Sequence, residues 1–389
     1  MSKSLAHLSL FAATWEQTIE SRKRTYPQWG RGLTEEQYRA RDSQMDPMEH
    51  AAEGKLVTWV LAPRESPTTL DFKCSCETYR RKGLVKRPGS STVEEVFGYG
   101  IASVFTPPQN RGQGYARHMM RLLHWVLAPR NEFPAFPETW GAPPPLYPGC
   151  GDASFSALYS DVGDEFYRHA GPDETSEGWI VRDPKGTIWD VAQDLSSLSS
   201  VSANGLSVQW LNEDGCKELW KNDAELMRND LSGKTSNSAL FTFLPDEGVG
   251  AFLVRRTMFF LPGWTSHTTP SKWGVKIVKS DESGGGSVMP TFATFTIDVI
   301  PAPSTLIVTR LRATEETFPL LAASLLHAGS ECGVEKVEVW NLPKPMEDIA
   351  HSLNGKTETR NEHLNAFKWY GLEKSGDIEW LFNEKFCWC

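Results

Sequence analysis

The stretch from Val104 to Ala116, Val-Phe-Thr-Pro-Pro-Gln-Asn-Arg-Gly-Gln-Gly-Tyr-Ala, constrains this chain more than any other. It joins an apolar run read as a strand, Val96 to Phe105, to a segment read as an amphipathic helix, Tyr115 to Leu127. Ala116, Met120, Leu123 and Leu127 recur at helical spacing, which places Arg117, Arg121 and His124 on the polar face. A glycine-bearing turn at a helix start presents unpaired backbone N–H groups beside the positive end of the helix dipole. Such a turn is an anion cradle suited to a pyrophosphate. Gly112 and Gly114 serve it because a Cβ would hold a phosphate away from the backbone.

The spacing separates this loop from other phosphate binders. No Lys-Ser/Thr pair follows the second glycine, which argues against a P-loop. The glycines do not form Gly-x-Gly-x-x-Gly, and Pro107-Pro108 stiffens the approach, which disfavours a dinucleotide turn. Gln109-x-x-Gly112-x-Gly114 resembles the acyl-CoA pyrophosphate loop of the GNAT N-acetyltransferase superfamily.

A second stretch, Ser156 to Gly171, strengthens the resemblance. Phe155 to Leu158 reads as a strand that turns at Ser160-Asp161 into a short helix bearing Phe166-Tyr167. In the superfamily this strand and helix splay from the glycine-loop strand and admit the pantetheine arm. The tyrosine at the position of Tyr167 often protonates the departing thiolate. A phenol suits that task because it stays protonated at neutral pH and donates more strongly than water. The alternative for Tyr167 is packing beside the cofactor.

Together with Cys76-Glu-Thr-Tyr-Arg-Arg81 and Tyr99 to Ala116, this stretch is similar to the fungal lysine N-acetyltransferases of lysine catabolism. The resemblance implies a GNAT fold, α/β with a central mixed and mostly antiparallel sheet, and acetyl-CoA as co-substrate. The expected cofactor contacts are Val104, Phe105, Thr106, Gln109, Arg111, Gly112, Gln113, Gly114, Tyr115, Ala116, Ser160 and Phe166. Backbone N–H groups around Val104 and Phe105 are placed to stabilise the oxyanion of direct attack. Relatives often carry a glutamate on the strand before the loop, where this chain has Gly98 and Tyr99. Glu77, on the polar face of the neighbouring strand, is the candidate base, with an exposed or salt-bridged role as its alternative.

Capping boxes Thr14-x-x-Gln17 and Thr34-x-x-Gln37 open two early helices. Such helices usually form one wall of the acceptor pocket in the superfamily, which makes Tyr26, Trp29 and Tyr38 possible contacts. Asp71 to Tyr79 alternates, with Phe72, Cys74, Cys76 and Thr78 inward, so its Cys-x-Cys needs no metal. Arg80-Arg81-Lys82 and Lys86-Arg87 read as a solvated turn or, more sharply, as a contact to the ribose phosphate of CoA. Six prolines between Pro129 and Gly149, interleaved with aromatics, predict an ordered loop flanking the acceptor entrance.

Length suits two domains: residues 1–189 as the acetyl-CoA-binding domain, a linker over 190–207, and a second domain over 208–389. In that second part a helix is expected from Asn212 to Leu231. Strands are expected at Ser238–Leu244, Gly250–Phe260, Trp273–Val278 and Thr291–Val299, with a turn at Gly284-Gly285-Gly286. Strand Thr305–Leu311, helix Thr314–Ser330 and strand Val334–Trp340 repeat the order around the glycine loop, without its glycine pair. Glu315 and Glu316 would repel a pyrophosphate there. The reading is a second, degenerate GNAT-like α/β domain without a CoA site that completes the acceptor pocket, or else an unrelated α+β domain. Phe386-Cys-Trp-Cys389 reads as a last strand near the junction.

A formal charge of −9 argues against nucleic acid and fits a cationic substrate. No apolar run approaches a membrane span, and seven scattered cysteines do not suggest a disulfide framework. The expectation is a reduced, cytoplasmic enzyme acetylating the side-chain amine of free lysine or a related small amine, with no metal. Polyamines, amino sugars, peptide amines and a non-catalytic acyl-CoA-binding module stay open, as does the oligomeric state.

Overall fold

The structure is a computed structural model that describes residues 4–198, 205–260, 270–279 and 290–389. Strand β1 (Leu8–Ala12) leads into helices α1 (Trp15–Trp29) and α2 (Glu35–Met45). Both helices start on complete capping boxes, with Thr14 and Thr34 each accepting from a glutamine N–H at 3.2 Å. The antiparallel ladder β2 (Leu56–Pro63), β3 (Cys74–Lys86) and β4 (Val93–Phe105) follows. The glycine loop then opens α3 (Tyr115–Leu127), which crosses to β5 (Ala153–Ser160), parallel to β4.

After α4 (Glu165–Arg168) and β6 (Ile180–Val181), the chain enters a second sheet with β7 (Lys185–Asp190). Next come α5 (Val191–Leu198), β8 (Leu206–Leu211), α6 (Glu213–Gly233), β9 (Ala239–Phe243) and α7 (Val249–Phe260). Then follow β10 (Gly274–Lys279), β11 (Thr291–Asp298), β12 (Thr305–Arg312), α8 (Phe318–Cys332), β13 (Lys336–Trp340), α9 (Lys344–Ser352) and β14 (Lys356–Thr359). The chain closes with β15 (Leu364–Trp369) and β16 (Ile378–Trp380).

The second sheet runs β14-β7-β13-β12-β11-β10-β8 among the described residues. Its one parallel pair is β12–β13, bridged by α8, just as α3 bridges the parallel pair β4–β5. The two halves therefore share a strand–helix–strand crossover in otherwise mostly antiparallel sheets, the degenerate repeat expected from the sequence. The α8 start lacks a left-handed glycine; Thr314 and Thr317 close it through each other's backbone N–H at 3.3 and 3.0 Å. The helix begins at Phe318, so Glu315 and Glu316 precede its first turn rather than occupying it.

The expected boundary at residue 189 does not follow the sheets. The first sheet runs β1-β2-β3-β4-β5-β15-β6, and β9 with β16 joins it along β3. Thus β15 pairs with β5 from Phe155 to Ser160, and β9 pairs with Gly83–Lys86. A shared aromatic core forms where they meet: Phe155 lies 4.6 Å from Phe241 and 4.8 Å from Phe243, with Phe367 and Trp380 packed beyond. Gly98 is required beneath it, because a Cβ there would sit 2.5 Å from the Phe155 ring. The proposed linker is helical over Val191–Leu198, and residues 199–204 lie outside the described residues, as does the turn at Gly284-Gly285-Gly286.

Other differences share this origin in long-range packing. β3 continues to Lys86, where β9 supplies a second partner strand, so Arg80 to Lys86 is strand rather than turn. Arg87 alone opens the turn that follows, at the end of β3 opposite the glycine loop. Arg80 pairs with Asp152, Lys82 with Glu247 at 2.7 Å, and Arg87 with Glu373 at 2.9 Å. Lys86 is buried, donating to the Ser232 and Lys234 carbonyls at 2.8 Å. Residues Gly250–Phe260 belong to helix α7, not a strand. An apolar run buried on more than one side carries no clear period, and Gly250 lies against the Trp220 ring. The proline-rich loop is ordered by Phe133 and Phe136 against Trp125, and it does not line the cavity described below. His124 is fully buried rather than on a polar face, stacked 4.2 Å from Trp179.

Candidate active site

The β4–β5 ladder begins at Phe97–Ala153 and ends at Ile101–Leu158, although both strands continue. Beyond that point the strands splay apart. On its other edge β4 carries a bulge: Ser75 pairs with Phe105 and Glu77 with Ala102, which leaves one extra residue on β4. Ser103 takes it up in a left-handed conformation, φ 53°, and donates its hydroxyl to Glu77 Oε2 at 2.7 Å.

A cavity of about 630 Å³ fills the splay, a size suited to a small ligand. Thr106 and Arg111 line its glycine-loop side, and Val104, Phe105, Glu77 and Tyr167 line its middle. α1 and α2 contribute Trp29 and Tyr38, whereas Tyr26 instead donates to the Leu33 carbonyl at 3.0 Å and packs edge-on to Tyr38. The far wall comes from the second half of the chain: Phe252, Arg256, His363, Trp388 and Cys389. The terminal residues form a short helical turn over Lys385–Cys387, not a strand, held by Arg81 donating to the Cys387 carbonyl at 2.9 Å.

Of the glycine loop, Thr106 and Arg111 line the cavity, whereas Gln109, Gly112, Gln113, Gly114, Tyr115 and Ala116 do not. Gly112 and Gly114 have φ of 73° and 80°, a region in which side chains are strained. Gly114 is the N-cap of α3, and no side chain caps that start. The first-turn N–H groups thus face outward as an anion cradle, a fit for a pyrophosphate. Gln109 and Gln113 are exposed on the loop, with Gln113 Nε2 donating to the Gln109 carbonyl at 3.4 Å; Tyr115 and Ala116 are half-buried in the first turn. Arg111 is braced by donating to the Thr106 carbonyl at 3.1 Å. Ser160 is buried, its hydroxyl spent on the Gly163 carbonyl at 2.5 Å, and Phe166 packs edge-on to Tyr167; neither lines the cavity.

Charge is arranged in alternation along the wall. Arg22 forks onto Asp46 at 2.8 and 2.7 Å, while Asp42 takes Arg41 at 2.6 Å. Burial opposes the charge of Arg22, but Asp46, Glu77 and Asp42 outweigh it and raise its pKa. Burial raises the pKa of Glu77, with Arg22 pulling the other way. Burial also raises that of Tyr167, which therefore stays a phenol at neutral pH. Burial disfavours the charge of Asp161, yet His363, which donates its backbone N–H at 2.8 Å, helps hold the carboxyl below its usual range. Among the described residues no group of three His, Cys, Asp or Glu could hold a metal ion, and no helix is long and apolar enough to cross a membrane.

Asp42, Asp46, Asp161, Arg256, His363 and Trp388 escape a reading by motif. They sit on five separate elements or turns, and only the tertiary fold brings them to one cavity.

A splayed parallel pair with a bulged strand, a glycine-started helix and an uninterrupted cleft defines the fold as that of the GCN5-related N-acetyltransferases. The comparisons agree. The family described as the LYC1 GNAT-like C-terminal domain matches residues 193–389, about half of the chain, and the chain belongs to that family. A GCN5-related N-acetyltransferase from Kribbella flavida shares 16% identity with a TM-score of 0.50, over 93% of this chain and 71% of its own. A probable N-acyltransferase of Enterococcus faecalis V583 shares 11% identity with a TM-score of 0.55, over 94% and 73%. The GCN5-related N-acetyltransferase of Anabaena variabilis shares 11% with a TM-score of 0.53, also over 94% and 73%. No curated protein matches.

Proposed function

We propose that this chain transfers an acetyl group from acetyl-CoA to the side-chain amine of free lysine or a related small amine. The observation that carries the reading is the single cavity that runs from Thr106 and Arg111 at the glycine loop to Glu77 and Tyr167. In this reading the loop N–H groups and Arg111 hold the pyrophosphate, and the splay at Ile101–Leu158 admits the pantetheine arm. The bulge leaves backbone at Ser103–Val104 without a partner on β3, free to polarise the thioester carbonyl.

Glu77 takes the first proton from the incoming ammonium. The neutral amine attacks, the C–N bond forms and the C–S bond breaks. Tyr167 donates its proton to the leaving sulfur, and the second proton of the amine nitrogen restores the phenol. A half-buried carboxylate with a raised pKa suits the first task, because it exchanges protons closer to neutrality. The second half of the chain closes the acceptor end through Phe252, Arg256, His363 and Trp388.

The test is thiol release from acetyl-CoA with lysine, ornithine, a polyamine, an amino sugar and a peptide amine. Steady turnover, greatest with lysine, is expected. Binding of CoA without turnover on any amine would make the chain a non-catalytic acyl-CoA-binding module.

A further inference from the structure

The arginines on the cavity wall are not equivalent. Arg22 is forked onto Asp46, and Arg41 gives two hydrogen bonds to Asp42 at 2.8 and 2.6 Å. Arg31 donates to the Ile300 carbonyl at 3.2 Å and Arg111 to the Thr106 carbonyl at 3.1 Å. Arg256 differs. Its nearest carboxylate oxygen, Asp298 Oδ1, is 3.7 Å away, beyond hydrogen-bond range, and Asp298 is shared with Lys385 at 4.0 Å. Among the described residues its guanidinium makes no hydrogen bond, although only 14% of the side chain is exposed.

The group is nevertheless held in place. Its guanidinium carbon lies 4.8 Å from the Trp388 ring centroid and 5.2 Å from that of Phe260. Burial lowers its pKa to about 10, with Asp298 opposing, so the cation persists at neutral pH. Asp298 balances only one of the two cations that share it, so a fixed, largely buried guanidinium with unused donors on a cavity wall can take a second anion, and a carboxylate matches its planar fork.

We propose that Arg256 receives the α-carboxylate of the acceptor, which makes the acceptor a free amino acid rather than a polyamine. The proposal rests on the acetyltransferase reading for the fate of the amine but concerns a separate group. Asp42 and Asp46 are already neutralised by Arg41 and Arg22, so the acidic side of the wall does not by itself demand a dication. Selectivity then comes from Arg256. An amine lacking a carboxylate leaves its donors buried and unpaired, which costs affinity.

The experiment compares L-lysine with 1,5-diaminopentane, which is lysine without its carboxylate, by calorimetry on the full chain loaded with CoA. Arg256→Gln should weaken lysine binding roughly ten- to hundredfold, the scale of a charge-assisted pair, while changing diaminopentane binding less than about threefold. Arg256→Lys should recover part of the loss, because it keeps the charge without the fork. Unchanged acetyl-CoA affinity shows that the variants remain folded. The proposal is overturned if the unsubstituted chain binds diaminopentane as tightly as lysine or binds neither. It also falls if Arg256→Gln leaves lysine affinity intact or weakens both ligands alike. Lysine bound through Arg256 but never acetylated would sink the acetyltransferase reading and leave this site standing. Acetylation of diaminopentane but not of lysine would do the reverse.

Discussion

The hydroxyl of Tyr370 lies 2.9 Å from Nδ1 of His124, joining the residue after β15 to the helix that follows the glycine loop. The hydrogen-bond directions around it are forced. His124 Nε2 faces the Ala170 carbonyl at 2.9 Å and must donate, so Nδ1 accepts from Tyr370. Tyr370 in turn accepts from Ser156, whose oxygen receives the Trp179 indole N–H, each at 2.9 Å. A buried chain with every member satisfied fixes one arrangement of α3 against the strands from the other half.

Tyr370→Phe would leave a buried acceptor on His124 and a buried donor on Ser156. Each such orphan costs about 1–3 kcal/mol, so a clear loss of stability is expected. Tyr370 does not line the cavity, so kcat/KM at a temperature well below the melt should change little. Denaturant unfolding beside steady-state kinetics checks both. An unchanged melting point would show that the chain of bonds contributes nothing.

Gly114→Val places a β-branched residue at φ 80°, where even an ordinary side chain costs about 1–2 kcal/mol, and it obstructs the cradle. Acetyl-CoA binding should fall below detection by calorimetry while the fold persists. Gly89→Val, at φ 69° in a turn distant from the loop, should lose comparable stability yet bind CoA normally. Equal CoA affinity in the two variants would refute the loop assignment.

Tyr167→Phe removes only the hydroxyl, on a side chain that is 9% exposed. Turnover should fall roughly a hundredfold or more with acetyl-CoA binding retained. A fall of less than about threefold would reduce Tyr167 to packing beside the cofactor.

Glu77→Gln should lower turnover about a hundredfold. It should also stabilise the chain at pH 7–8. Burial raises the Glu77 pKa in the fold above that of the unfolded chain. Its contribution to stability is complete below the ordinary carboxylate range and is lost as pH rises through the raised value. Glutamine cannot charge, so the variant should melt higher than the natural chain at pH 8 and alike at pH 4. The acid limb of kcat/KM should lie above the ordinary carboxylate pKa. A variant that melts lower at pH 8 would mean that the charge is stabilised by its neighbours, and Glu77 would lose its place as base.

The local features of this protein are legible in the sequence alone. The capping boxes at Thr14 and Thr34 depend on residues three apart, and helix Tyr115–Leu127 starts and stops where its period and Gly114 place it. The two glycines of the loop sit at positive φ because only local backbone geometry is at stake. Glu77, Val104, Phe105, Thr106, Arg111 and Tyr167 are all found on one cavity. What the chain order concealed was long-range pairing. Neither the continuation of β3 along β9 nor the insertion of β15 beside β5 leaves a periodic trace, because a strand edge accepts any partner of the right shape. His124 looks polar on its helix until Tyr370 arrives from 246 residues away. Arg256 looks like one more surface cation until burial leaves its donors facing a cavity. Spacing along the chain determined where the glycine loop would be and what it presents. Only tertiary contact decided which charges surround it, because burial and pairing belong to the folded assembly rather than to any segment.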